Sequence, residues 1–328
     1  MRIMDKHPTT ESGIKNQLLV PKSTASFSGH ETFVFRYGWL KKAVDAVVAD
    51  PAIFTQENAI VTLGVGKNMV RAIRHWGLAT QVLEEEPHSR GTRLQVANLG
   101  RFLFGEGGKD PYLEDPNTLW LLHWSLMSQG LRCTTWHWAF NHLPSNEFTR
   151  ESLLQFLLKE VRHRSLPEPS ESTLKRDIEV FVRTYAPVKS AKNTVAEDSL
   201  DCPFVELELL DQTAQSGHYR LRRGSKPTLN HVVFAYCLAD YWRRTAPQQK
   251  TMALADIAYK PGSPGAIFKL DENGIAATLE GIEETTKGAI AYSESAGIRQ
   301  AYWREDLCEW SVLQHYYDDS LVSMEMGG

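Results

Sequence analysis

Apolar and polar positions along the chain fall into helical and strand-like rhythms, most clearly in residues 54–105. Thr55 has N-cap chemistry for a short helix ending at Gly64. After Gly66 a second helix is predicted, with Met69, Ile73 and Trp76 at i, i+4 and i+7 forming one buried stripe. Lys67, Arg71 and Arg74 recur at the same spacing on another face, and Gly77 is the expected stop. Residues 80–83 and 93–96 read as short strands around the polar turn Pro87-His88-Ser89-Arg90-Gly91. Two helices, a glycine turn and a hairpin describe a winged helix-turn-helix, whose second helix usually enters the DNA major groove.

Residues 148–186 repeat the helix-turn-helix theme. Thr149 caps one helix, Ser170 or Ser172 caps the next, and Leu174, Ile178, Phe181, Val182 and Tyr185 form its apolar stripe. Lys175 and Arg176 lie off that stripe, with Asp177 and Glu179 interleaved, the pattern of a solvated face more than of a DNA contact. Residues 204–210 alternate like a strand, and Gln215-Ser216-Gly217 turns it back through Tyr219 and Leu221. Residues 251–303 sketch a third winged module: a short helix, Ser263-Pro264 as N-cap and first helical position, then Ile275, Leu279 and Ile282 and two strands. Its carboxylates Asp271, Glu272, Glu280, Glu283 and Glu284 repel phosphate, so it is expected to contact protein or its own chain. The expected architecture is mainly α (α+β), built of helix-turn-helix and winged-helix modules with short β-wings. Its expected divisions are a tail at 1–26, a helical domain at 27–186, a linker at 187–203 and a C-terminal domain at 204–328.

Composition narrows the functional classes. A formal charge of -4 over 328 residues gives no global basic field, so nucleic-acid contact must rest on a local patch. Here that patch is Lys67, Asn68, Arg71 and Arg74, the wing cations Arg90 and Arg93, and Lys175 and Arg176. Four scattered cysteines without a CxxC pair suggest neither a zinc knuckle nor a disulfide framework. The N-terminus lacks the apolar run of a signal peptide, and no apolar segment is long enough to span a membrane, so a cytoplasmic protein is expected. The Gly64-Val65-Gly66-Lys67 phrase lacks P-loop spacing.

Two places carry candidate chemistry. His30 and Glu31 could act as an acid/base pair or in a metal site; alternatively they form a hydrogen-bonded cap for a first helix running from Ser28 or Thr32 to about Val48. Glu206 and Glu208 would share one face of the strand at 204–210, with Asp201 and Asp211 at its ends. That set could hold the magnesium or manganese ion of a nuclease, or be the polar face of a hairpin. His123, His137 and His142 lack the spacing of metal ligands and read as packed histidines.

Three phrases carry a resemblance: residues 27–33 (FSGHETF), 63–70 (LGVGKNMV) and 115–124 (DPNTLWLLHW). Together they resemble the SspB-like family of bacterial DNA phosphorothioation defence systems. That resemblance implies a DNA-binding, DNA-nicking component acting on double-stranded DNA. It would work beside a cysteine desulfurase, an ATPase and an ATP pyrophosphatase, and use a divalent metal if it nicks. A non-catalytic adaptor or transcriptional regulator is the alternative. Homodimerisation is left open, and the resemblance assigns no catalytic residue.

Overall fold

The structure, a computed structural model, describes residues 25–129, 132–186, 202–305 and 307–325. Most of the expected tail and linker, with Asp201, lies outside the described residues. The first unit opens with α1 (Trp39–Ala49), whose Leu40, Ala43, Val44 and Val47 recur at helical spacing and are buried. A single 3-10 turn (Ile53–Thr55) precedes α2 (Ala59–Leu63), α3 (Lys67–Ala79), β1 (Leu83–Glu85) and β2 (Leu94–Val96). Leu83 pairs with Val96 across the hairpin.

Several local expectations shift here. The first helix starts at Trp39, after Gly38 at φ 74°, because Ser28, Glu31 and Thr32 adopt left-handed backbone that a helix cannot use. Thr55 does not cap α2, since its hydroxyl donates to the Ala52 carbonyl at 2.8 Å. Gly64, at φ 62°, does end α2. Gly77 lies inside α3, which runs on to Ala79. A Cβ on Gly77 would stand 2.8 Å from Leu83 Cδ1, so this glycine serves close packing of α3 on β1.

The chain continues through α4 (Asn98–Phe104), α5 (Pro116–Gln129), α6 (Thr134–Asn141), β3 (Glu147–Thr149), α7 (Arg150–His163) and α8 (Glu171–Tyr185). Thr149 forms a capping box with Ser152, and Ser170 accepts from the Thr173 amide. Then come a 3-10 turn (Pro203–Leu207), β4 (Leu210–Gln212) and β5 (His218–Leu221). The strand expected at 204–210 is therefore mostly this turn. Pro203 sits at its first position, Phe204 and Leu207 are buried one turn apart, and Glu208 closes it at φ 48°. Glu206 and Glu208 consequently share no strand face.

The last stretch holds α9 (His231–Thr245), β6 (Thr251–Ala253), α10 (Leu254–Tyr259), α11 (Pro264–Ile267), α12 (Glu272–Glu280), α13 (Ile282–Thr285), β7 (Ile290–Ser295), β8 (Ile298–Trp303) and α14 (Glu309–Glu325). Ser263 caps α11 by accepting from the Ala266 amide.

One arrangement recurs. A helix, a short strand and further helices lead to two strands, the last of which bonds to the first. It appears as α6-β3-α7-α8-β4-β5, with sheet order β3-β5-β4, and as α9-β6-α10-α11-α12-α13-β7-β8, with sheet order β6-β8-β7. In the first unit the Leu94 amide donates to the Pro51 carbonyl at 2.8 Å, a one-residue version of the same edge. The β4–β5 hairpin thus belongs beside β3, across the expected division at 187–203, because backbone pairing of β5 to β3 satisfies that edge. One hydrophobic cluster, from Val34 to Tyr317, runs through all three units. The fold is mixed α+β, and among the described residues no helix is long and apolar enough to cross a membrane.

Candidate nucleic-acid interface

The inner face of α3, made by Val70, Ile73 and Trp76 with Met69 half-buried, fixes the helix on the core. Its opposite face presents Lys67, Asn68 and Arg71 to solvent at the helix N-terminus, where backbone N–H groups and the dipole also favour an anion. Gly66, the N-cap, has open space around it.

The basic row is not a uniform one. Arg71 Nη1 lies 3.5 Å from Glu31 Oε1, an exposed pairing of the kind that contributes about 0–1 kcal/mol. Arg74 is half-buried and donates to the Gly91 carbonyl at 2.9 Å, tying α3 to the hairpin turn. Glu85 lies 3.8 Å from Arg74 and accepts from Arg132 at 2.6 Å. Burial, then the neighbouring Arg132, lowers the Arg74 pKa. Spacing within one helix could not show these carboxylates, because Glu31 and Glu85 come from other elements. At the β1–β2 turn, Arg90 is exposed at φ 53° and Arg93 pairs with Glu86 at 2.6 Å. On α8, exposed Lys175 pairs with Glu171 at 3.1 Å, and Arg176 donates to the Ser172 carbonyl at 3.2 Å.

His30 and Glu31 point different ways. Glu31 reaches toward Arg71, whereas His30 is buried and its Nε2 lies 2.7 Å from Asp177 Oδ1. The Thr32 amide donates to His30 Nδ1 at 3.1 Å, which leaves the proton on Nε2 for donation to Asp177. Asp177 also accepts from the Ser28 amide at 2.8 Å and from the Thr135 hydroxyl. Its carboxylate is thereby satisfied in a site 1% exposed. His30 is a pin between the 27–33 segment, α6 and α8, with no solvent access for acid/base chemistry. Asp177 is the residue that sequence reasoning left on a solvated face. A signal was present, since it falls at i+3 from Leu174 and four before Phe181, on the buried stripe.

Beside this pin, Cys133 Sγ lies 3.4 Å from His75 Nε2. Burial raises the Cys133 thiol and holds His75 down to about 3. His123, also held to about 3 by burial, is bracketed by the Tyr185 hydroxyl at 3.0 Å and the Ile267 carbonyl at 3.1 Å. It is a satisfied core histidine.

The carboxylates proposed for a metal are engaged elsewhere. Glu206 accepts from the Tyr37 hydroxyl, Glu208 from Arg222 at 2.8 Å, and Asp211 lies 3.4 Å from Arg222 and 3.8 Å from Arg220. Among the described residues no three His, Cys, Asp or Glu side chains converge as a metal-ligand group. These residues do not fit a resident divalent ion.

A family described as "Protein of unknown function (DUF4007)" matches residues 27–317. Comparison with curated proteins gives no match. The solved structure "Magnesium ion-bound SspB crystal structure" is similar at 34% identity and TM-score 0.82, over 90% of this chain and 88% of that chain. "SspB crystal structure" is similar at 34% identity and TM-score 0.80 over the same shares.

Proposed function

The chain belongs to the DUF4007 family and to the SspB-like family that its solved relatives represent, and on that premise we propose that it is a DNA-binding component of a bacterial phosphorothioation system. The observation that carries the binding half is the solvent face of α3, where Lys67, Asn68 and Arg71 stand at the N-terminus of a helix clamped between core and hairpin. In this reading the three recurring units are winged helix-turn-helix modules, α3 is the major-groove helix, and Arg90 and Arg93 on the wing contact the backbone. Lys175 and Arg176 on α8 add phosphate contacts from the second module. The acidic third module is not a reader. Its Glu272 and Glu283 pair with Arg299 and Arg304 of its own wing, so it serves packing or protein contact.

The second half of the proposal is strand nicking, and it rests on the family reading. A divalent metal would stabilise the attacking and leaving oxygens of a phosphodiester. One relative is titled as magnesium-bound. The misfit of Glu206, Glu208 and Asp211 to such an ion favours a second reading, a DNA-binding adaptor without its own nuclease site. The proposed partners are double-stranded DNA and the desulfurase, ATPase and ATP pyrophosphatase of the system.

Supercoiled plasmid, incubated with the purified protein in chelator, magnesium or manganese, separates these readings. Nicking that needs the metal supports the nickase; retention of plasmid without nicking supports the adaptor. Neither binding nor nicking would overturn both.

A further inference from the structure

The sheet β3-β5-β4 carries an open groove of about 590 Å³ lined by the guanidinium groups of Arg220, Arg222 and Arg223 and by the carboxylates of Glu147 and Asp211. Register fixes its pattern: Glu147 and Asp211 stand directly across from Arg220, one on each flanking strand. Arg222 follows two positions on, so strand alternation places it with Arg220 on the same face. Its amide still bonds to the Leu209 carbonyl at 3.0 Å, which continues the ladder.

Neither arginine is held by a buried partner. The side chain of Arg220 is 53% exposed and, among the described residues, its nearest carboxylate oxygen, on Asp211, is 3.8 Å away, beyond a hydrogen bond. Arg222, 45% exposed, divides between Glu208 at 2.8 Å and Asp211 at 3.4 Å. Exposed pairs of this sort are easily exchanged for another anion. A third guanidinium, Arg223, lines the same groove. It donates to the Leu270 carbonyl at 2.6 Å and lies 5.4 Å from the Tyr259 ring centroid. Lys226 reaches back to the Arg222 carbonyl at 2.9 Å. Burial, and then Arg222, lowers its ammonium to about 8.

We propose that this groove is a second DNA-backbone site, in which Arg220 and Arg222 leave Asp211 and Glu208 to grip phosphodiester oxygens. The inference rests on the DNA-binding reading above and adds a surface that the α3 face does not include. Guanidinium forks match phosphate oxygens bidentately, whereas Asp211 meets Arg220 and Arg222 only at 3.8 and 3.4 Å and Glu208 holds Arg222 through one exposed bond at 2.8 Å. The His30–Asp177 bond ties the segment that touches α3 to α8 of the second module, so both surfaces belong to one packed body. Asp211 and Glu147 act as competitors for the incoming phosphate. Asp211 thereby sets how much free energy its release costs.

The test uses the full chain and a fluorescently labelled DNA duplex, with anisotropy read across a salt series. Arg220→Ala/Arg222→Ala should weaken binding about tenfold or more at low salt and lower the salt slope by about two, one per phosphate contact. Asp211→Asn should do the opposite and tighten binding, a gain that misfolding cannot imitate. Wild-type affinity and slope in the double arginine variant, while Lys67→Ala/Arg71→Ala weakens binding, would overturn the groove and leave the α3 reading intact. Absence of duplex binding by the wild type would overturn both.

Discussion

His30 Nε2 and Asp177 Oδ1 meet at 2.7 Å in the interior, joining two residues that lie 147 positions apart. The bond closes a network in which Asp177 also holds the Ser28 amide and the Thr135 hydroxyl. Asp177→Ala leaves the buried His30 and Thr135 donors and the part-buried Ser28 amide without this partner. It should cost about 3–5 kcal/mol, since each buried donor left unpaired costs about 1–3 kcal/mol. Urea unfolding followed by circular dichroism measures it. A loss under about 1 kcal/mol would show that the network is dispensable.

Acid should destabilise the protein through its buried neutral histidines. His75 and His123 are each held to about 3 by burial, against about 6.5 for a free imidazole. Below about pH 6.5 the unfolded chain takes up protons that the folded chain refuses, so stability falls as pH falls toward about 3. It is unaffected by these two groups above that window. Each contributes up to about 1.4 kcal/mol per pH unit there. Denaturant midpoints should be level from pH 8 to 7 and drop between pH 6.5 and 5. A flat profile down to pH 5 would contradict neutral burial.

Gly100 is a packing glycine. A Cβ there would stand 2.1 Å from the Val82 carbonyl oxygen and 2.9 Å from Val96 Cγ1, so α4 approaches the hairpin backbone as closely as it does only without a side chain. Gly100→Ala forces backbone apart and should cost about 1–3 kcal/mol. Gly66→Ala, whose Cβ meets open space, is the comparison and should lose less, no more than about 1 kcal/mol for a poorer N-cap. Equal thermal midpoints for the two variants would refute the close approach.

Much of the fold was legible where local chemistry decides it. Thr149, Ser170 and Ser263 act as the caps their residue types suggest, and Ile275, Leu279 and Ile282 are buried at the spacing that singled them out. What escaped was non-local. β3 and β6 are three residues each and become strands only by pairing with β5 and β8, far along the chain. Residues 204–207 alternate like a strand, yet Pro203 and the burial of Phe204 and Leu207 turn them into a 3-10 turn, which dissolves the Glu206/Glu208 face. Arg74 looked like its neighbours on α3. Its role was set by the Gly91 carbonyl, to which no helical periodicity points.

That distinction gives the sharpest test of the central claim, that the solvent face of α3 binds DNA. Duplex affinity should be measured by anisotropy over a salt series for wild type, Lys67→Ala/Arg71→Ala and Arg74→Ala. The double variant should weaken binding and lower the salt slope by about two, with an unchanged unfolding midpoint, because both side chains are solvent-exposed. Arg74→Ala should lower the unfolding midpoint, since it removes the tie to Gly91. Duplex affinity and salt slope in Lys67→Ala/Arg71→Ala equal to those of the wild type would contradict the account.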